Sequence, residues 1–157
     1  HRLVWFDIAV VKHDDGFVIT FNDITHNKEN ERRIEQQAAE NKRQSELLNS
    51  VLNNSASGLV AFEAVRAESG QILDFRYVAA NEAAGRIAGI PAGELVGQSL
   101  LNLFPGNLDT GLFALFTDTV ETGEPAHIQQ YYDRDGLSFW LDLSTQKLGD
   151  GLVITFT

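Results

Sequence analysis

The stretch that decides the fold is Phe75–Pro105, "FRYVAANEAAGRIAGIPAGELVGQSLLNLFP". It begins inside a strand-like run, Ile72–Ala79, whose large side chains alternate along the chain. Asn81 then stands where a helix N-cap belongs, so residues 81–88 predict a short helix. Glycines and a proline interrupt the next positions, and Glu94–Phe104 predicts one or two more short helical turns.

The residues on either side of this stretch predict an α+β domain. Gly58–Arg66 predicts the preceding strand, and Thr110–Thr122 predicts a longer helix with Asp109 as its N-cap and Gly123 after its end. Three strands follow, at about Ala126–Asp133, Leu137–Gln146 and Leu152–Thr157. Strands that border a run of helices in this order favour an antiparallel sheet with helices on one face.

These parts resemble a PAS domain. The Asn-Glu-Ala-Ala segment from Asn81 and the Pro-x-x-x-Leu-x-Gly-x-x-Leu pattern of Pro91–Leu100 are typical of PAS sensors. Asn22–Thr25, "NDIT", is similar to the Asp-Ile-Thr signature that closes a PAS domain. The resemblance implies a PAS domain at 55–157. Its expected fold is a five-stranded antiparallel sheet with short helices and one longer helix on one face, preceded by a β-hairpin and a long helix.

A repeated segment explains the N-terminal residues. "WFDIAVVKHDDGFVITFN" (5–22) aligns without a gap with "WLDLSTQKLGDGLVITFT" (140–157), and nine of the eighteen pairs are identical. We expect two strands joined at Asp15-Gly16, because Asp-Gly is a strong hairpin signal. Residues 1–25 therefore look like the terminal hairpin and Asp-Ile-Thr corner of an upstream PAS domain. We expect this hairpin to pack on a second chain, its own copy being one candidate.

Residues 26–54 predict a connecting signalling helix, because they are polar and contain no Gly or Pro. Steps of four and three residues give a weak coiled-coil seam that supports a homodimer. The alternative is a solvated single helix. The seam residues are Ile34, Ala38, Asn41, Ser45, Leu48 and Leu52.

Composition excludes several classes of function. Residues 55–157 carry five Lys/Arg against thirteen Asp/Glu, so this part lacks the clustered cations of a nucleic-acid surface. No apolar run approaches the length of a membrane span, and the chain has no Cys. We therefore expect a cytoplasmic protein that binds no nucleic acid and does not insert into a membrane.

No constellation for catalysis or metal binding is visible. The usual nucleophile, nucleotide-binding and zinc motifs are missing, and the four His residues are far apart in sequence. The resemblance to PAS sensors raises the question of a cofactor. A flavin adduct would need a Cys, which the chain lacks, and His127 is the only candidate haem ligand near the long helix. We therefore expect neither a flavin adduct nor haem. Binding of an unknown small molecule is the remaining alternative.

A cavity between the sheet and the helices is the expected binding site, although the same side chains could form a core without a ligand. The outer face of the sheet would carry Trp140 and Asp142, which we expect at a dimer interface. The candidate cavity residues are Tyr77, Ile87, Leu101, Phe104, Leu112, Phe116, Ile128, Phe139 and Leu141.

The sequence therefore predicts a sensory and dimerisation PAS module that signals through helix 26–54, with a sensor histidine kinase as the expected whole protein. The Asp23-Ile24-Thr25 corner would couple the units, with Asp23 bonded back to the strand and Thr25 capping the helix. The alternatives are a purely structural interaction domain, or a PAS module of a diguanylate cyclase or transcription regulator. The fragment itself is not expected to be an enzyme.

Overall fold

The first part of the chain is a two-stranded hairpin followed by a long helix. A computed structural model describes residues 3–157. Strands β1 (Phe6–His13) and β2 (Gly16–Asp23) pair antiparallel, with His13 opposite Gly16. The turn residues are therefore Asp14 and Asp15, one position before the predicted Asp15-Gly16. Asp14 adopts a φ of 49°, which Asp tolerates better than most residues, so Gly16 is not needed for the turn and enters the strand.

Helix α1 (Thr25–Asn53) follows the hairpin directly. Its bounds agree with the prediction of 26–54 to within one residue at each end. Thr25 is its one buried residue, and positions 31–51 are all exposed. The chain divides into two compact units, one ending at Leu48 and the other comprising Asn49–Thr157.

The second unit confirms the predicted fold class. Its five strands form one antiparallel sheet in the order β4-β3-β7-β6-β5. The strands are β3 (Gly58–Arg66), β4 (Ile72–Ala80), β5 (Ala126–Arg134), β6 (Leu137–Lys147) and β7 (Gly151–Phe156). Between β4 and β5 lie α2 (Glu82–Ala88), α3 (Ala92–Leu95), α4 (Leu100–Leu103), α5 (Gly106–Asp109) and α6 (Leu112–Thr122).

The start of α6 differs from the prediction. Gly111 adopts a φ of 80° and separates α6 from the short helix α5, which contains Asp109. Because a left-handed residue interrupts the right-handed helix, Asp109 cannot act as the N-cap of α6. The end is as predicted, since Gly123 is left-handed and its N–H donates to the carbonyl of Thr119.

The core lies between the sheet and the helices. Phe75 and Phe116 are almost completely buried, and their rings meet edge to face at 6.2 Å between centroids. Phe62 of β3 lies 6.0 Å and 6.2 Å from the same two rings. This aromatic cluster joins β3, β4 and α6, and it holds the helical layer on one face of the sheet.

No helix within residues 3–157 is both long enough and apolar enough to cross a membrane.

Candidate ligand cavity and its link to the connecting helix

A cavity of about 80 Å³ lies between the sheet and the helices of the second unit. Its walls are mostly aliphatic and aromatic side chains. Helix α2 contributes Ala84, Ile87 and Ala88. Seven of the nine side chains predicted from the sequence line it, namely Tyr77, Ile87, Phe104, Leu112, Phe116, Phe139 and Leu141.

Two predicted side chains lie elsewhere. Leu100 of α4 and Phe104, the residue directly after that helix, point inward, whereas the neighbouring Leu101 does not line the cavity. Ile128 packs against the core from the edge strand β5, but the cavity lies nearer the other end of that strand. Tyr132, four residues further along β5 and on the same face, lines the cavity instead.

The cavity has three polar side chains in its wall, Tyr77, Asn107 and Tyr132, and only Tyr77 was predicted from the sequence. Burial raises the pKa of Tyr77, so its hydroxyl is neutral at physiological pH. Burial and a hydrogen bond to Asp135 raise the pKa of Tyr132 as well. Asn107 is buried, and its Nδ2 donates to the carbonyl of Phe104 at 2.8 Å. The period-two alternation of β5 could have identified Tyr132, whereas Asn107 follows a Pro-Gly break with no periodic signal.

The volume limits what the cavity can hold. An engineered apolar cavity of roughly 150 Å³ binds benzene, and pockets for drug-sized ligands measure roughly 300–1,000 Å³. The cavity of about 80 Å³ therefore fits a molecule of a few heavy atoms. His127, the one residue considered as a haem ligand, is exposed and pairs with Ser144 on the outer face of the sheet. The side chains present thus do not fit a flavin or a haem without rearrangement.

Within residues 3–157, no three His, Asp or Glu side chains form a group that could hold a metal ion.

Asn81 links the cavity to the end of α1. Its Oδ1 accepts the N–H of Ala84 at 2.9 Å, which caps α2, and also the N–H of Leu59 at 2.9 Å. Its Nδ2 donates to the carbonyls of Leu52 at 2.9 Å and Ser57 at 3.0 Å. Asn81 is only 4% exposed. One buried amide therefore joins the cavity-lining helix α2 to the last turn of α1.

The cap formed by Asn81 was predictable from the sequence, whereas its bond to α1 was not. The N-cap depends on residues three positions apart, whereas the bond to Leu52 spans 29 positions and exists only in the folded chain. The signal available in the sequence was the polar type of the residue, because Asn carries donors as well as an acceptor.

The Asp-Ile-Thr corner is formed, and Thr25 makes the bond to the strand side that was predicted for Asp23. Asp23, two positions before the first residue of α1, accepts the otherwise free first N–H of the helix, that of Thr25, through Oδ1 at 2.9 Å. Thr25 Oγ1 accepts the N–H of Trp5 at 2.9 Å, and the N–H of Ile24 donates to the carbonyl of Trp5, also at 2.9 Å. Thr25 is the first residue of α1, one position past the N-cap, so its hydroxyl points back to the strand side.

The predicted dimer surfaces are exposed in the single chain. Trp140 is 72% exposed and lies against Tyr131, with ring centroids 5.7 Å apart. Asp142 is on the same outer face, while Leu141 and Leu143 point into the core, as the predicted alternation requires. In the α1 seam, Ile34, Ala38, Asn41, Ser45 and Leu48 are exposed and Leu52 is half-buried.

Comparison with known proteins supports the fold. A search of curated proteins gives no match. A domain of the sensory box sensor histidine kinase/response regulator from Geobacter sulfurreducens has 19% identity and a TM-score of 0.52, over 72% of this chain and 91% of that one. The Rhodobacter sphaeroides LOV protein has 19% identity and a TM-score of 0.53, over 74% and 66%.

A third solved structure, a PAS domain from a two-component sensor histidine kinase, has 14% identity and a TM-score of 0.51, over 74% of this chain and 96% of that one. Identities this low show a shared fold. The family model described as "PAS fold" matches residues 73–156, which is more than half of the chain. The chain therefore belongs to the PAS family, whose domains occur in signal-transduction proteins.

Proposed function

We propose that this chain is a sensory PAS module that detects a small molecule in its cavity and passes the signal through α1. The single observation that supports this most strongly is the position of Asn81. The same side chain caps α2, which lines the cavity, and bonds to Leu52 in the last turn of α1.

The ligand that fits this cavity is a mostly apolar molecule of a few heavy atoms with one hydrogen-bonding group. The wall is aliphatic and aromatic, and Tyr77, Asn107 and Tyr132 supply the polar atoms. A ligand against Ala84 and Ala88 would shift α2, and Asn81 would carry that shift to Leu52 and Ser57.

The receiving element is α1, which we propose forms a two-helix seam in a homodimer. Its polar positions Asn41 and Ser45 lower the stability of any one register, so two registers of similar energy can be biased by a few kcal/mol. We propose that the outer sheet face around Trp140 and Asp142 completes the interface, because an exposed Trp there would be covered.

The output that we propose is a histidine kinase in the cytoplasm, with the hairpin β1–β2 closing a second, upstream PAS domain. Incubation of the full-length protein with ATP should give an acid-labile phosphohistidine. Cyclic di-GMP synthesis or specific DNA binding by the full-length protein would instead identify a different output domain.

Ligand binding can be tested with small alcohols from ethanol to butanol as probes, measured by the thermal transition of the chain. A ligand that binds only the folded state raises the transition temperature with concentration. We expect this rise in the native chain and its loss in Ala88→Leu, which fills part of the cavity. Ala114→Leu makes the same change at an exposed position of α6 and serves as the control.

Native mass spectrometry of the purified chain then asks whether a molecule of a few heavy atoms co-purifies. Equal responses of Ala88→Leu and Ala114→Leu to every alcohol, together with no co-purified molecule, would favour a purely structural interaction domain.

A further inference from the structure

We propose that the outer edge of β2 is a docking site for one further strand, of the same type as β3, which belongs to the same polypeptide and precedes the hairpin in the full-length protein. This docking site deepens the assignment of the hairpin to a second PAS sheet and is independent of the ligand cavity. It gives the edge of β2 to a strand of the same polypeptide, in place of the second chain predicted from the sequence.

The first support is that the sequence repeat is also a repeat of strand register. In the first hairpin Ile8 pairs with Phe21, and the equivalent residues 135 positions later, Leu143 and Phe156, also pair. The loops differ, with two residues between β1 and β2 and three between β6 and β7, but the paired positions coincide. The hairpin β1–β2 therefore has the geometry of β6–β7, the centre of a five-stranded sheet.

The second support is Gly16. Its counterpart Gly151 lies opposite Glu63 of β3, and a Cβ on Gly151 would come within 1.9 Å of the carbonyl oxygen of Phe62. The backbone of β3 thus leaves no room for a side chain at position 151, so this position must be glycine. Gly16 has no such neighbour in the described chain, since its Cβ would meet only the His13 carbonyl at 3.7 Å, and its φ is not positive. A glycine at position 16 is what a crossing β3-type strand would require.

The third support is charge. The carboxylate of Asp150, the residue before Gly151, accepts hydrogen bonds from Nε and Nη2 of Arg66 at the end of β3. This pairing lowers the pKa of Asp150. Asp15 holds the equivalent position before Gly16. The docking strand should therefore carry an Arg or Lys where β3 carries Arg66, so that its charge complements Asp15.

The fourth support is an exposed apolar face of the hairpin, which the core of the upstream PAS domain would cover. The equivalents of the inward residues of β6 and β7 all lie on one face of the hairpin, where Phe6 and Phe21 pack edge to face at 6.4 Å. They are 47–72% exposed, a level that single surface residues tolerate but a contiguous face does not. These residues are Phe6, Ile8, Val10, Phe17, Ile19 and Phe21.

Two observations indicate where the docking strand comes from: the order of the strands along the chain, and the fact that both edges of β3 are already paired. In the PAS unit β3 precedes the β6–β7 hairpin along the chain, so the equivalent strand is expected upstream of β1. The β3 of a second copy is unsuitable, because β4 and β7 already occupy both of its edges.

Hydrogen exchange of the β2 amides tests the proposal in two proteins, the full-length protein and residues 1–157. We expect exchange about tenfold slower or more in the full-length protein, because pairing protects an edge strand. Gly16→Val should remove this protection in the full-length protein and change nothing in residues 1–157. Thr20→Val, on the outward face of the same strand, is the matched control and should keep the protection.

Three results would overturn the proposal. The first is equal exchange of β2 in the two proteins. The second is protection that survives Gly16→Val. The third is protection in residues 1–157 that rises with protein concentration, which would show that the hairpin pairs with its own copy. The alcohol response of the cavity should be the same in Gly16→Val and the native chain, so failure here is distinguishable from failure of the sensory function.

Discussion

Replacing Asn81 separates the link between cavity and helix from the rest of the fold. Asn81→Ala removes four hydrogen bonds and leaves two backbone N–H groups and two carbonyls without their partner. Loss of an N-cap costs about 0.5–2 kcal/mol, and each buried polar group left unpaired costs about 1–3 kcal/mol. Leu52 and Leu59 are only half-buried, so water compensates in part. We expect Asn81→Ala to lower the free energy of unfolding by about 3–5 kcal/mol.

Asn81→Asp is the matched variant, because it has the same shape and keeps both accepted bonds. It caps α2 through Ala84 and still accepts from Leu59, but it can no longer donate to Leu52 and Ser57. Because the buried carboxylate would place an oxygen where Nδ2 faces these two carbonyls, we expect a cost at least as large as that of Asn81→Ala. The exchange of the α1 amides at 49–53 should accelerate as much as in Asn81→Ala.

Urea unfolding followed by circular dichroism gives the free energies, and hydrogen exchange measured by mass spectrometry gives the local effect. A cost below about 1 kcal/mol for Asn81→Ala would contradict the bond network. Unchanged exchange at 49–53 in Asn81→Asp would show that Asn81 does not hold the end of α1.

Three further predictions concern pH, the corner and the dimer. The pKa of Tyr77 is raised in the folded chain, so the stability that this group contributes is present below the ordinary pKa of 10.0 and is lost as the pH rises above that value. Tyr77→Phe should therefore reduce the fall in the free energy of unfolding that is measured between pH 9 and pH 11. Asp23→Ala or Thr25→Ala should change the autophosphorylation rate of the full-length protein while the thermal transition of the Asn49–Thr157 unit stays the same. Unaltered rates in both variants would remove the corner from the signalling path. Trp140→Ala should weaken self-association measured by sedimentation equilibrium. It should leave the stability of the monomer unchanged, since Trp140 is 72% exposed. An unchanged dissociation constant of the dimer would exclude Trp140 from the interface.

The strands were predictable because one face of the sheet is buried. The alternation of Leu137, Phe139 and Leu141 with Ser138 and Trp140 fixes which side chains point inward, since a shift of one residue would reverse every one of them. The same period of two gave three of the seven predicted lining residues, namely Tyr77 of β4 and Phe139 and Leu141 of β6. Leu112 and Phe116 follow instead from the four-residue spacing on one face of α6.

What could not be predicted depends on local geometry or on distant partners. A helix of four residues offers no periodicity, so the choice between Leu100 and Leu101 as the inward residue was open. Gly111 adopts a left-handed conformation and separates Asp109 from α6, so Asp109 is not the N-cap that was predicted. The bonds of Asn81 to Leu52 and Ser57 join residues more than twenty positions apart, which no local pattern reports.

The central claim is that occupancy of the cavity reaches α1 through Asn81. The most direct measurement is hydrogen exchange at 49–53 in four proteins: the native chain, Ala88→Leu, Asn81→Asp and the double variant. Filling the cavity should change this exchange in the native background and have no further effect once Asn81 is Asp, which is the non-additivity expected of coupled sites. The same change in both backgrounds, or no change in either, would contradict the claim.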